Sequence, residues 1–242
     1  MTKVRCVEPE WLDELPSEDP RAIRSRLDLQ RVNKWMGNIG IMQRALMGNH
    51  AQTAPRVMLE LGAGDGTFAL GLALRLAPRW KNVKVILLDC KDIVSSETRK
   101  GFSALGWQVE MITADAFDFL KQAKPRSVDT VTANLFLHHF HPKRLVQLLM
   151  QTAKIADSFV ACEPRRSALA LAGSRLLWAI GCNRVSQHDA VVSVRAGFAG
   201  QELSALWPEQ GDWRLSEHAA GLFTHCFVAQ RFGGRTGSQN EI

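Results

Sequence analysis

The chain has 242 residues, 46% apolar and 22% charged, which excludes a disordered, collagen-like or disulfide-stapled molecule and allows one domain with a sizeable core. Its 30 Lys and Arg against 24 Asp and Glu leave a net charge of +6, which permits an acidic partner without demanding one. Seven tryptophans accompany no tyrosine, so tyrosine has no part in any acid–base step.

Residues 1–20 are acidic and punctuated by proline, and read as a loosely held leader with no signal-peptide core. From Arg21 to Gly48 six basic residues face only Asp28, and Ile23, Leu27, Val32, Trp35 and Met36 recur near helical spacing. That pattern predicts one or two amphipathic helices, either packed on the main domain or closing over a site as a lid. After Pro55, apolar runs alternate with helical segments. The runs are Val57–Leu61, Val83–Leu88, Val109–Thr113, Val128–Ala133 and Ser158–Cys162. The helix candidates between them are Thr67–Ala77, Ser95–Leu105, Ala116–Lys124 and Pro142 to about Lys154. Runs apolar on both faces and separated by helix-length connections predict parallel strands in a layered α/β sheet.

Ala168–Cys182 reads as an apolar helix, more core than pocket, too short to span a bilayer and interrupted by Arg175. Val185–Gly200 reads as irregular, Gln201–Leu206 as a short helix. Trp213–Ala219 and His225–Gln230 should pair antiparallel, and the tail GGRTGSQNEI should be disordered. The five cysteines are scattered, odd in number and never spaced C-x-x-C, so neither structural zinc nor a disulfide framework is expected. A reducing cytoplasm is the expected location.

The loop Glu60-Leu-Gly-Ala-Gly-Asp-Gly66 follows the first strand and opens a helix, where glycines let backbone approach a ligand and free N–H groups attract an anion. Its glycines run G-x-G-x-G, and Thr67 stands where a dinucleotide fingerprint wants its third glycine. Asp89 ends the second strand, placed to accept the hydroxyls of a ribose, and Asp115 ends the third, placed to accept from an adenine amine. Read singly, each acid is more readily a helix cap or a surface residue. Together with the loop, they converge on one crevice at the carboxyl edge of the sheet.

These residues resemble the class I S-adenosylmethionine-dependent methyltransferases, within the small-molecule, ubiquinone/menaquinone-type group, over about residues 55–231. The loop from Glu60 to Gly66 resembles the family's first motif, Asp89 its ribose acid, Ala114-Asp115-Ala116 its adenine stretch, and Asn134-Leu-Phe-Leu-His-His-Phe140 its fourth motif. The resemblance implies a doubly wound, mostly parallel seven-stranded sheet, order 3-2-1-4-5-7-6 with strand 7 antiparallel, helices on both faces and an N-terminal helical extension. It implies an extension or lid over 1–54, a catalytic domain over 55–231 with a substrate-cover insert at 165–212, and a tail over 232–242. It also implies S-adenosyl-L-methionine as cofactor, contacted by Glu60, Gly62, Ala63, Gly64, Asp89, Cys90, Asp115, Ala116, Phe117, Asn134 and Leu135.

Methyl transfer is an in-line displacement that needs alignment above all, and an oxygen acceptor must also lose a proton. His139, His188 and His138 are the candidate bases, with His139 favoured; each could instead cap or pack its own loop. Arg195 and Trp178 are candidate substrate contacts. Asp65 is expected to cap the following helix, and Asp189, adjacent to His188, need not orient it. No residues stand at metal-ligand spacing, so no metal is expected. The expected acceptor is a small phenolic, quinone-like or polyketide-like molecule, O-methylated sooner than C-methylated, with no nucleic acid, no stable membrane insertion, and a homodimer left open. A silent methyltransferase-like binding subunit and a nucleotide-dependent oxidoreductase are the competing readings.

Overall fold

The computed structural model describes residues 4–49, 54–208 and 210–233, so the expected tail lies almost wholly outside the described residues. Seven strands form one sheet: β1 (Val57–Leu61), β2 (Lys84–Asp89), β3 (Gln108–Thr113), β4 (Val128–Asn134), β5 (Ala156–Pro164), β6 (Trp213–Ala220) and β7 (Thr224–Arg231). Their order is β3-β2-β1-β4-β5-β7-β6. The pairs among β1 to β5 are parallel, while β7 runs antiparallel to both β5 and β6. Order and direction are as the family resemblance implies.

Successive side chains on a strand point to opposite faces, and the core divides accordingly. Leu59, Leu61, Val131, Ala133, Phe159 and Phe227 face α6 (Ala116–Gln122) and α7 (Pro142–Ile155). Met58, Val85, Leu87, Val160 and Cys162 face the other layer, where α4 (Thr67–Leu76) and α5 (Ser96–Ala104) lie. The central strands β1, β2, β4 and β5 are buried on both faces, whereas the edge strand β3 alternates with exposed residues.

The N-terminal segment contains α1 (Trp11–Glu14), α2 (Pro20–Met36) and α3 (Asn38–Asn49). Gly37, at φ 73°, ends α2 in the left-handed region and lets the chain turn into α3. α3 buries Ile41, Met42 and Leu46 in the same core layer as α4. α2 behaves otherwise than its apolar spacing predicts. Ile23, Leu27 and Trp35 are exposed, and Ala22, Ser25, Asp28 and Asn33 are buried. Polar partners explain the inversion: Asp28 pairs with Arg31 and Arg24 and accepts the Asn183 N–H and the Ser186 hydroxyl, while Ser25 meets Ser186.

The connection from β5 to β6 holds α8 (Ala168–Arg175), a 3-10 turn at Leu177–Ile180, α9 (Arg184–Ala196) and α10 (Glu202–Leu206). Two expectations fail here. The apolar run at 168–182 breaks after α8 and leaves Leu169, Leu176 and Trp178 exposed rather than buried. The stretch expected to be irregular is instead the helix α9, capped by the Asn183 side chain on Ser186 N. Its inward stripe, Val185, Asp189, Val192 and Ala196, keeps helical spacing, but a carboxylate inside it hides the apolar period.

Candidate active site

The glycine loop leaves β1 and turns back over it, with Gly62, Gly64 and Gly66 all at positive φ. A Cβ on Gly62 would stand 2.3 Å from Phe136 Cδ2, so only glycine lets the Phe136 ring lie against the loop. Sequence reasoning missed Phe136, whose placement depends on Leu135 at φ 54°. Asp89 accepts the Gly64 N–H at 2.8 Å through Oδ2 and the Lys91 N–H at 2.9 Å through Oδ1. It therefore braces the loop from the neighbouring strand end. Asp115 caps α6 through Oδ1, which takes the N–H groups of Phe117 and Asp118. Ala63 is buried, with its N–H on Leu88 O, Phe117 is buried in the core, and Cys90 is exposed beside Asp89. Asp65 accepts from Thr67 N, as expected of a cap, and also from Gln30 of α2 at 2.7 Å.

Glu60 lies buried below the loop and accepts a hydrogen bond from the Thr132 hydroxyl. Burial pushes its carboxyl up to about 7, against the opposing pull of that bond. Asn134, at the end of β4, accepts from Asn38 Nδ2 at 2.9 Å and donates to Asn33 Oδ1 at 3.1 Å. The junction of α2 and α3 is thereby fixed to the strand end beside the loop.

Beyond Asn134, Glu163 of β5 organises the turn. It accepts from the backbone N–H groups of Phe136 and Leu137 and stands 2.8 Å from His138 Nδ1. Glu10 stands 3.2 Å from His138 Nε2 and accepts from the Ser193 hydroxyl. Burial alone would lower the His138 pKa, but the two carboxylates outweigh it and hold the ring at about 9. Burial likewise works to raise Glu10, and the bonds from His138 and Ser193 prevail, bringing it to about 2. His138 is thus buried with both ring nitrogens engaged. His139 is partly exposed, its Nδ1 3.2 Å from Asp13 Oδ2, and its ring lies 4.3 Å from that of His138.

The leader expected to be loose is a strap across this site. Arg5 donates to the carbonyls of His138, Phe140 and Ala196. Trp11 N and Leu12 N donate to the Asp189 carboxylate at 2.9 and 3.0 Å, and Lys91 Nζ reaches the carbonyls of Leu12, Asp13 and Leu15. The Trp11 ring stacks on His188 with centroids 3.8 Å apart. His188 Nδ1 is 2.9 Å from Asp189 Oδ1, so the adjacent pair interacts, although adjacency alone did not require it. Burial raises the Asp189 carboxyl above its ordinary value. Arg195 is exposed near the end of α9, where its carbonyl accepts the Cys6 N–H, and Trp178 is exposed in the 3-10 turn between α8 and α9. Neither touches the turn after β4 among the contacts described.

The carboxyl ends of β1, β2, β3 and β4 therefore carry the glycine loop, both acids and Asn134 along one edge of the sheet. The model of a methyltransferase-domain family matches residues 58–158, which span all of these groups. No curated protein matches the chain. Among solved structures, an O-methyltransferase family protein from Burkholderia thailandensis is similar over 90% of this chain and 62% of its own, at 18% identity and TM-score 0.61. The plantazolicin methyltransferase BpumL, solved with SAH, is similar over 89% of this chain and 92% of its own, at 13% identity and TM-score 0.63. The mitomycin 7-O-methyltransferase MmcR is similar over 91% of this chain and 60% of its own, at 17% identity and TM-score 0.59. The chain thus spans about three fifths of the length of the first and third, and all three share the fold of the methyltransferase domain. No helix among the described residues is long and apolar enough to cross a membrane.

Proposed function

We propose that the chain is an S-adenosylmethionine-dependent methyltransferase acting on a small phenolic, quinone-like or polyketide-like acceptor, at oxygen in preference to carbon. The observation that carries the reading is the brace between Asp89 and Gly64 at the mouth of the loop, with Asp115 on the next strand end. Asp89 offers its carboxylate to the ribose, Asp115 keeps Oδ2 for the adenine amine, and Gly64, open where a Cβ would stand, admits the cofactor's charged end. Binding the sulfonium cofactor supplies a methyl already activated for displacement, and the chain's part is to align the acceptor and exclude water.

Acceptor deprotonation falls to His188 rather than to the favoured His139. Its Nδ1 faces Asp189, which fixes the ring and leaves Nε2 as the proton acceptor. The engagement of both His138 ring nitrogens by carboxylates inside the protein speaks against it as the base. Small O-methyltransferase substrates accord with MmcR, named for an oxygen position on mitomycin. Calorimetry with S-adenosylhomocysteine, followed by a labelled-methyl screen over phenols, quinones and carboxylic acids read by mass, tests the proposal. Saturable binding and a methylated oxygen are expected. Failure to bind, or tighter binding of NADH, overturns it.

A further inference from the structure

Glu10, His138 and His139 each place a ligand-type atom within 4.8 Å of the other two. The first two are buried and the third partly so. Spacing in the sequence gave no hint of this cluster, because Glu10 and His138 are 128 residues apart and meet only where the strap crosses the turn after β4.

Three features fit a cation better than a simple ion pair. First, each imidazole has a carboxylate at Nδ1: Glu163 Oε2 at 2.8 Å for His138 and Asp13 Oδ2 at 3.2 Å for His139. Metal-binding histidines are oriented in this way, since an Nδ1–H given to a carboxylate fixes the tautomer that presents the Nε2 lone pair. Second, two ligands each about 2.1 Å from a tetrahedral ion stand about 3.4 Å apart. Glu10 Oε1 and His138 Nε2 are already at 3.2 Å, so little movement is needed there. Third, Glu10, Glu163 and Asp13 set three carboxylates against two cations, Arg5 on the turn's carbonyls and Lys91 on those of Leu12, Asp13 and Leu15. With neutral rings, a net negative charge remains for a dication to offset.

We propose that Glu10, His138 and His139 bind one divalent transition-metal ion of the zinc type, through two imidazole nitrogens and one carboxylate. Nitrogen-rich donors of this kind suit zinc, cobalt or ferrous iron and disfavour calcium and magnesium, which take oxygen ligands. Three protein ligands leave a coordination position open. The ion replaces the proton otherwise shared between Glu10 and His138, so ion and proton compete for the same nitrogen. The open position lies at the turn that follows the fourth strand. Given the methyl-transfer reading above, on which this role rests, an acceptor hydroxyl bound there would ionise more readily.

The test uses the full-length, tag-free chain, stripped with a chelator, dialysed and titrated with cobalt(II). A tetrahedral cobalt absorption band saturating at one ion per chain, displaced by zinc and not by magnesium, is expected. Glu10→Gln and His139→Gln should each weaken cobalt binding at least tenfold while Glu163 still holds His138. Asp13→Asn, at an exposed side chain that leaves folding intact, should weaken it a few-fold. Absence of a one-to-one band in the wild type, or unchanged affinity in Asp13→Asn together with whichever ligand variants fold, overturns the site. Calorimetry with S-adenosylhomocysteine on the same sample separates the two readings. Cofactor binding without cobalt binding sinks the metal site alone, and cobalt binding without cofactor binding sinks the methyl-transfer reading alone.

Discussion

Between Val57 and Pro164, five strands and four helices bury leucine, valine, alanine and phenylalanine on both faces of a sheet, and the side-chain hydrogen bonds gather at the strand ends and caps. Between Val4 and Asn33, and again along α9, polar contacts do much of the joining: Arg5 on carbonyls, Asp189 on two backbone N–H groups, Asp28 beneath its arginines. The first region gains from apolar area removed from water, a non-directional effect that tolerates small shifts. The second depends on directional bonds, each worth about 0.5–1.5 kcal/mol net, or about 1.5–3 kcal/mol when one partner is charged. The sheet should therefore set global stability, while the strap and α9 can release without unfolding the sheet.

The largest effect should come from the sheet. Phe159, buried between Trp207 and Phe227, should lose about 3–5 kcal/mol of stability as Phe159→Ala in urea denaturation. A loss below about 1 kcal/mol would mean that the sheet core is not what limits stability. Next comes a pH effect at Glu60, whose carboxyl is raised from 4.5 to about 7 by burial. A raised folded-state pKa gives stability that is whole below about 4.5 and declines as pH rises toward 7, because the unfolded chain ionises first. The decline should approach ~3 kcal/mol, and Glu60→Gln should remove that slope from the difference between the two proteins. Parallel pH profiles would place the charge elsewhere.

Asp89→Ala should cost about 1.5–3 kcal/mol of S-adenosylhomocysteine affinity, roughly ten- to a hundredfold, measured by calorimetry. Unchanged affinity would move the ribose contact to another group. Smallest is the strap: Asp189→Ala, which removes the acceptor for Trp11 N and Leu12 N, should cost about 1–2 kcal/mol. Hydrogen exchange should then speed at residues 11 and 12 while the strands keep their protection. Equal acceleration in β1 and β4 would erase the proposed division between the two regions.

Read alone, the sequence determined the five apolar runs, the helices between them, the closing hairpin and the position of the glycine loop. These are properties of neighbours in the chain: a period of two or 3.6, glycines where φ must be positive, an acid at a strand end. It also placed Asp89, Asp115 and Asn134 at one edge, since parallel strands joined by helices all end there. What only the tertiary structure decided lies where polar groups from distant segments satisfy one another. The inward face of α2 is polar because Asn183 and Ser186 wait for Asp28, and α9 hid its period behind a buried Asp189. Glu10 showed nothing in its own neighbourhood, an acid in an acidic leader, until the fold set it against His138. Apolar burial leaves a periodic trace in the sequence because any greasy residue will do. A directional bond leaves none, because its partner can come from anywhere in the chain.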